Sequence, residues 1–272
     1  MEAPVILTQP LHSFELMKVT VCELPDATNE LENDWRRLVE HLRQAESDLV
    51  LLPEMPFYPW FAQASDDSEQ EWQKAVEAHD LWQKRLEELT PARVMGSRPV
   101  TINGQRLNEG FVWSSTDGYT PVHHKYYLPD EKWFWEGSWY EQGADHFELC
   151  QVQDAEAGFL ICTELWAMDR ARDYGKKGAH LVVTPRATEL ATADKWLTGG
   201  RVAAISAGAF HLSSNRSGTD KTGEFQFGGQ GWISDPDGRV LGKTTSEDPF
   251  ITKEIDLAIA EKAKTTYPRY VF

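Results

Sequence analysis

Apolar positions along this chain switch between two spacings, and the switching predicts strands that alternate with helices. Residues 18–24 place Val19 and Val21 on one face of a strand that Pro25 and Asp26 stop. From Asn29, Leu31, Trp35, Leu38 and Leu42 return at helical intervals with charges between them, giving an amphipathic helix to about Glu46. Residues 48–53 are then almost continuously apolar, as in a strand buried on both faces, and Glu54 stands at its end. A second helix is expected over about 67–89, with Trp72, Val76, His79, Trp82, Leu86 and Leu89 as its stripe. His79 reads there as a core histidine.

Residues 93–97 and 109–114 read as strands, with hairpin signals at Asn103-Gly104 and Asp117-Gly118, and 121–128 as another with Lys125 near its end. The aromatic stretch 129–149 is too long and too apolar for an idle loop. Phe159, Leu160 and Ile161 form a short apolar run closed by Cys162. Helical spacing resumes at Thr163 and ends near Gly175 beside Lys176 and Lys177. Such a cysteine lies beside free backbone N–H groups and the positive end of a helix dipole, which is expected to lower its thiol pKa and to offer an anion site. A cysteine can equally be a small hydrophobe that completes a core strand. Residues 179–184 form a further buried strand with Pro185 to Thr188 at its end. A helix over 193–209 precedes a strand at 210–215, and two strands flank the turn Asp235-Pro236-Asp237-Gly238. Without a linker or an internal repeat, residues 17–272 are expected to be one domain, with 1–16 as an N-terminal extension.

Composition narrows the partners. A formal charge of −16 and no basic cluster argue against nucleic acid. No apolar run approaches the ~18 residues of a membrane span, and the first sixteen residues lack the basic n-region and long apolar core expected of a secretory signal. Three cysteines, Cys22, Cys150 and Cys162, make no disulfide framework, so a reducing cytoplasm is the expected location. No Cys/His group has metal spacing, because the adjacent His123 and His124 point apart on a strand.

Glu54, Lys125 and Cys162 each fall at or just after a strand end, and in an α/β sheet such ends gather at one rim where ligands bind. A carboxylate to take a proton, a thiol to attack a carbonyl or nitrile carbon and an ammonium to steady the resulting charge form an acyl-transfer set.

These residues also carry a resemblance. Leu51-Leu52-Pro53-Glu54, His124-Lys125-Tyr126-Tyr127-Leu128 and Ile161-Cys162-Thr163-Glu164-Leu165 occur in the order of the three signatures of the carbon–nitrogen hydrolase (nitrilase) superfamily. Gly178-Ala179, Asn215-Arg216 and Asp235-Pro236-Asp237-Gly238 match its accessory motifs. The resemblance spans nearly the whole chain from Met17. It implies a four-layer α-β-β-α sandwich with mixed sheets, no cofactor, and a homodimer or higher homo-oligomer to which the C-terminal tail up to Phe272 contributes. By it Glu54 would be the general base, Lys125 the stabiliser of the tetrahedral intermediate and Cys162 the nucleophile, with the backbone N–H of Thr163 in the oxyanion hole. A second glutamate, eleven residues after the lysine in amidase and carbamoyl-hydrolase branches, would be Glu136, with Glu131 the competing choice.

The implied substrate is a small amide or N-carbamoyl compound cleaved through a cysteine thioester. A nitrilase is the alternative, suggested by Glu164 after Cys-Thr. A catalytically silent scaffold of the same fold is a third reading. Tyr58, Trp60, Trp139 and Trp166 are candidate pocket walls, at least one of them expected to be core. Arg186 could bind a substrate carboxylate or salt-bridge Glu189.

Overall fold

The computed structural model describes residues 16–220 and 222–271. The expected extension therefore lies outside the described residues except for Leu16, which opens the first strand, and so does Phe272. Strand β1 (Leu16–Pro25) leads into helix α1 (Thr28–Ala45), which buries Leu31, Trp35, Leu38 and Leu42. Burying each of these side chains is worth about 1.5–3 kcal/mol. The helix ends where Glu46 turns left-handed and Ser47 N–H returns to the Leu42 carbonyl at 3.0 Å. After β2 (Leu49–Leu51), the second helix is shorter than its apolar stripe suggested. The Ser68 hydroxyl caps α2 (Glu69–Gln83), and Leu86–Leu89 form a separate 3₁₀ turn. His79 is buried in α2, its Nδ1 2.7 Å from the Ala75 carbonyl, and burial pulls it down to about 3, so it is a neutral core residue.

Strands β3 (Arg93–Ile102), β4 (Gln105–Ser114) and β5 (Gly118–His124) make the antiparallel meander foreseen from its two turns. With β2, β1 and, antiparallel to β1, a late strand over residues 250–256, they form the first sheet. The stretch 129–149 contains the single-turn α3 (Glu136–Trp139). The second sheet begins with the hairpin β6 (Leu149–Val152) and β7 (Ala155–Phe159). It continues through α4 (Met168–Lys176), β8 (Leu181–Arg186), α5 (Ala193–Ala207) and β9 (Phe210–Thr219), with β6, β7, β8 and β9 as neighbours. Strands β10 (Gln226–Gly228) and β11 (Trp232–Ser234) pair with β9, and β12 (Val240–Lys243) pairs with β11. Strand β13 (Phe250–Asp256) returns to β1, and α6 (Leu257–Ala263) follows.

The last residues of β1, Glu23 to Pro25, run parallel to Asn215 to Ser217 of β9, which joins the two sheets into one hydrogen-bonded network. Alternation along β1 separates the layers. Met17, Val19 and Val21 pack between the sheets with Leu181, Val183 and Leu212, whereas Cys22 and Leu24 face α1. Leu160, Val182 and Ala203 pack the second sheet under α4 and α5. This is the layered α-β-β-α sandwich. Helix α5 lies close on its sheet because it presents glycine and alanine there: a Cβ on Gly200 would stand 2.6 Å from the Trp232 indole nitrogen. Among the described residues no helix is long and apolar enough to cross a membrane.

Candidate active site

Each of the three strand-end residues is carried to the same rim by a different element. Glu54 follows β2, its N–H donating to the Arg186 carbonyl at 3.2 Å. Its own carbonyl accepts from Arg216 Nε at 3.1 Å. Arg216 also donates to the carbonyls of Met55 and Tyr58 and pairs with Asp26, so one buried guanidinium fixes the loop after Glu54. Lys125 follows β5, tied by its N–H to the Asn108 carbonyl at 2.9 Å, while its carbonyl accepts from Gly143 N–H at 2.9 Å. A Cβ at Gly143 would fall 2.3 Å from the His124 carbonyl oxygen, so only glycine lets the 129–149 segment close over the lysine.

That closure delivers Glu136. Lys125 Nζ donates to Glu54 Oε1 at 2.8 Å and to Glu136 Oε2 at 2.5 Å, and all three side chains are fully buried. Asn108 Nδ2 donates to Glu54 Oε1 at 2.8 Å, and the Tyr140 hydroxyl donates to Glu136 Oε2. Donor atoms of Glu54, Glu136 and Cys162 lie within 4.8 Å of one another. That spacing would suit a metal ion, but the cation held between the carboxylates here is the Lys125 ammonium. Of the two candidates for the second glutamate, Glu136 is the one at the lysine; Glu131 is exposed and lines the mouth of the cavity described below.

Cys162 is not at the start of an α-helix. It begins a five-residue 3₁₀ turn, Cys162–Trp166, with a left-handed φ of 48°, and α4 starts only at Met168. The strand before it also ends earlier than expected, at Phe159. The expected lowering of its thiol pKa is corrected too. Burial pushes the thiol well above the usual range and Glu54 adds to this, outweighing Lys125 and the Ala187 N–H. A resting thiol, not a thiolate, faces Glu54. For Lys125 burial works against the charge, but Glu136 and Glu54 outweigh it and hold the ammonium above the ordinary lysine value. Glu136 is pushed up to about 7, first by burial and then by Glu54, against the pull of Lys125.

The last shift has a sign. A carboxyl whose folded value of about 7 exceeds its ordinary 4.5 favours folding when protonated. Its stabilising contribution is complete below about pH 4.5 and is lost as pH rises through 7. Glu136→Gln, which mimics the protonated form, is expected to flatten the fall in Tm between those limits. A slope unchanged in thermal unfolding would contradict this.

A cavity of about 230 Å³ opens onto Cys162 and Thr163, walled by Pro129, Phe134, Trp166 and Trp196, with Thr188 and Thr192 beside them and Glu131, Glu189 and Lys195 toward its mouth. Of the four aromatics singled out in the sequence, Trp166 alone is in this wall, and it is 46% exposed. Trp60 and Trp139 are core, packed with Phe61 and Trp72, and Tyr58 donates its hydroxyl to Glu71 at 2.7 Å. Arg186 lies behind the wall. It donates to Ser213 Oγ at 2.7 Å, Thr188 Oγ1 at 2.7 Å and the Gln230 carbonyl at 2.8 Å, with its guanidinium over the Trp232 ring. These three acceptors are neutral, so neither the Glu189 bridge nor direct exposure to the cavity is seen. Burial lowers its pKa to about 9. Sequence reasoning missed Asn108, Tyr140, Phe134 and Trp196. Only the clustering of aromatics in 129–149 pointed toward any of them.

A layered sandwich with a thiol, two carboxylates and an ammonium buried at one rim defines a class. The sequence profile of the carbon-nitrogen hydrolase family matches residues 18–265, and the chain belongs to that family. The omega-amidase (chloroplastic) of Arabidopsis thaliana is 23% identical over 283 residues, 97% of this chain and 74% of that protein. Among solved structures, a carbon–nitrogen hydrolase from Helicobacter pylori G27 superimposes with a TM-score of 0.84 at 21% identity, covering 94% of this chain and 95% of that one. A mutant amidase from Nesterenkonia sp. AN1, which shows covalent addition of the acetamide moiety of fluoroacetamide at its active-site cysteine, has a TM-score of 0.72 at 16% identity and covers 93% and 94%.

Proposed function

We propose that this carbon–nitrogen hydrolase is an amidase that converts a small amide and water to a carboxylic acid and ammonia through a thioester on Cys162. The observation that carries the reading is the meeting of Cys162 with Glu54 and Glu136 around the Lys125 ammonium, at the floor of a cavity that reaches the sulfur. Glu54 takes the thiol proton as sulfur attacks the carbonyl carbon, which a protonated resting thiol requires. Lys125 and the Thr163 N–H steady the oxyanion. Collapse breaks the C–N bond, and Glu54 returns its proton to the leaving ammonia. Water, deprotonated by Glu54, then cleaves the thioester and restores the thiol. The cavity of about 230 Å³ leaves room for a small amide beside the sulfur. The omega-amidase relative and the amidase neighbour with its acetamide adduct favour amides over the wider family range. The homodimer implied by the resemblance belongs to the same proposal.

The alternative nitrilase reading rested on Glu164, whose side chain is hydrogen-bonded to backbone N–H groups and His123 and does not join the cluster around Lys125. The scaffold reading called for a sealed cysteine. Cys162 is 2% exposed, yet the cavity ends on it. Ammonia release from matched pairs of short amides and nitriles is expected to favour the amide at least about tenfold in kcat/KM, a difference of about 1.4 kcal/mol in transition-state binding. Preference for the nitrile would overturn the assignment.

A further inference from the structure

The nucleophile and the lysine are borne by strands that share no ladder. Lys125 follows β5, at one end of the hydrogen-bonded strand order, and Cys162 follows β7, next to the other end. Backbone pairing links them only at a distance, through the ladders from β5 by way of β1 and β9 to β7, which leaves side chains to fix their local spacing. One does so directly. The Glu164 carboxylate, fully buried, accepts from Ile161 N–H at 2.8 Å through Oε2 and from Tyr126 N–H at 2.7 Å through Oε1. Ile161 precedes the cysteine and Tyr126 follows the lysine. His123 Nε2, two residues before Lys125, lies 2.9 Å from Glu164 Oε2 and gives the same carboxylate a third contact. The His123 ring is itself wedged against Phe147, 4.9 Å between centroids.

The contact to Ile161 also explains the local geometry. A glutamate at the third position of a turn that reaches back to the N–H before its first residue is half of a capping box, and here it braces a turn whose first residue holds a left-handed φ. Burial of the Glu164 carboxyl is tolerated because its two oxygens accept from two fixed backbone N–H groups.

We propose that Glu164, held by His123, is the positioning residue that sets Cys162 against Lys125. It touches neither the sulfur nor the ammonium and acts through the two backbone segments it joins. The proposal rests on Cys162 being the nucleophile.

The test is Glu164→Gln in the full chain, assayed with a short primary amide. A carboxamide has one acceptor oxygen, so the Ile161 and Tyr126 N–H groups cannot both be served by the fixed carboxylate geometry. The number of competent sites is counted from the extent of Cys162 alkylation by iodoacetamide at completion, read by mass. Per competent site, kcat is expected to fall about 10²-fold with KM changed less than about threefold, the signature of misplaced reacting groups. His123→Gln, which keeps a donor toward Glu164, is expected to retain kcat within about fivefold. A wild-type kcat per site in Glu164→Gln overturns the proposal, whatever happens to the yield of folded protein. If that variant does not fold, Glu164→Asp is read the same way. Its shorter carboxylate keeps the charge but not the reach, and unchanged turnover per site is again fatal. Cys162→Ala runs alongside: turnover there would show that the underlying reading has failed rather than the strut.

Discussion

Cys162→Ala is expected to lower amide hydrolysis by at least about 10³-fold while the chain stays folded, as measured by ammonia release and thermal unfolding. The size follows from what the sulfur alone can do. Covalent catalysis splits one difficult displacement into two easier ones, and residues that act as a unit lose nearly all their effect when the nucleophile is removed. The stability change is small for an equally local reason. Alanine is also an L-residue, so the left-handed φ of 48° at this position costs no more than it already does, and one buried sulfur is lost. Burial pushes the thiol above its ordinary value, and in the proposed mechanism Glu54 accepts its proton during attack. Undiminished turnover would mean that another group attacks the substrate.

Lys125→Met is expected to be costly twice over. The ammonium is buried between two buried carboxylates, at 2.8 Å from Glu54 and 2.5 Å from Glu136. Removing it leaves Glu54 and Glu136 together without a cation or water, and breaking a buried ion pair from one side typically costs about 3–5 kcal/mol. The loss should be greatest at neutral pH and smaller in acid, where protonation of the carboxyl groups relieves it. Activity should fall on the order of 10²-fold or more, since a preorganised donor to the oxyanion is lost. Denaturant unfolding at pH 5 and pH 8 reads the first effect, and ammonia release reads the second. Wild-type stability at both pH values would show that the three side chains do not share a buried site.

The parts of the molecule legible in sequence were those where burial is one-sided or total. The continuous apolar run before Glu54 and the Val19/Val21 alternation mark strands because their apolar residues are committed to a layer, although β2 takes up only Leu49–Leu51 of the run 48–53. By contrast β6 and β13 are short or half-exposed, with patterns such as Cys150-Gln151 and Thr252-Lys253-Glu254 that carry no clear period, and neither was read as a strand. The turn after Cys162 was misread for another reason. Leu165 and Met168 keep helical spacing across a break between a 3₁₀ turn and α4, and spacing alone does not register the break. Strand-end logic pointed to Glu54, Lys125 and Cys162 and the resemblance to Glu136, and the structure brings these four side chains together. Asn108 and Tyr140 were missed because each depends on which residues face one another across strands or loops, which no local pattern records. The pocket walls failed similarly. Trp60 and Trp139 are as aromatic as Phe134 and Trp196, but they fill the core behind the site.

The central claim is a bond between substrate carbon and the sulfur of Cys162. Acid quenching of the enzyme during turnover of a short primary amide, followed by peptide mass mapping, tests it directly. The peptide containing Cys162 is predicted to gain the mass of the substrate's acyl group less one hydrogen, and hydroxylamine should remove that mass as it cleaves a thioester. Active enzyme that carries no acyl mass under conditions where hydrolysis of the intermediate is rate-limiting, or that carries it on Cys22 or Cys150, would contradict the account.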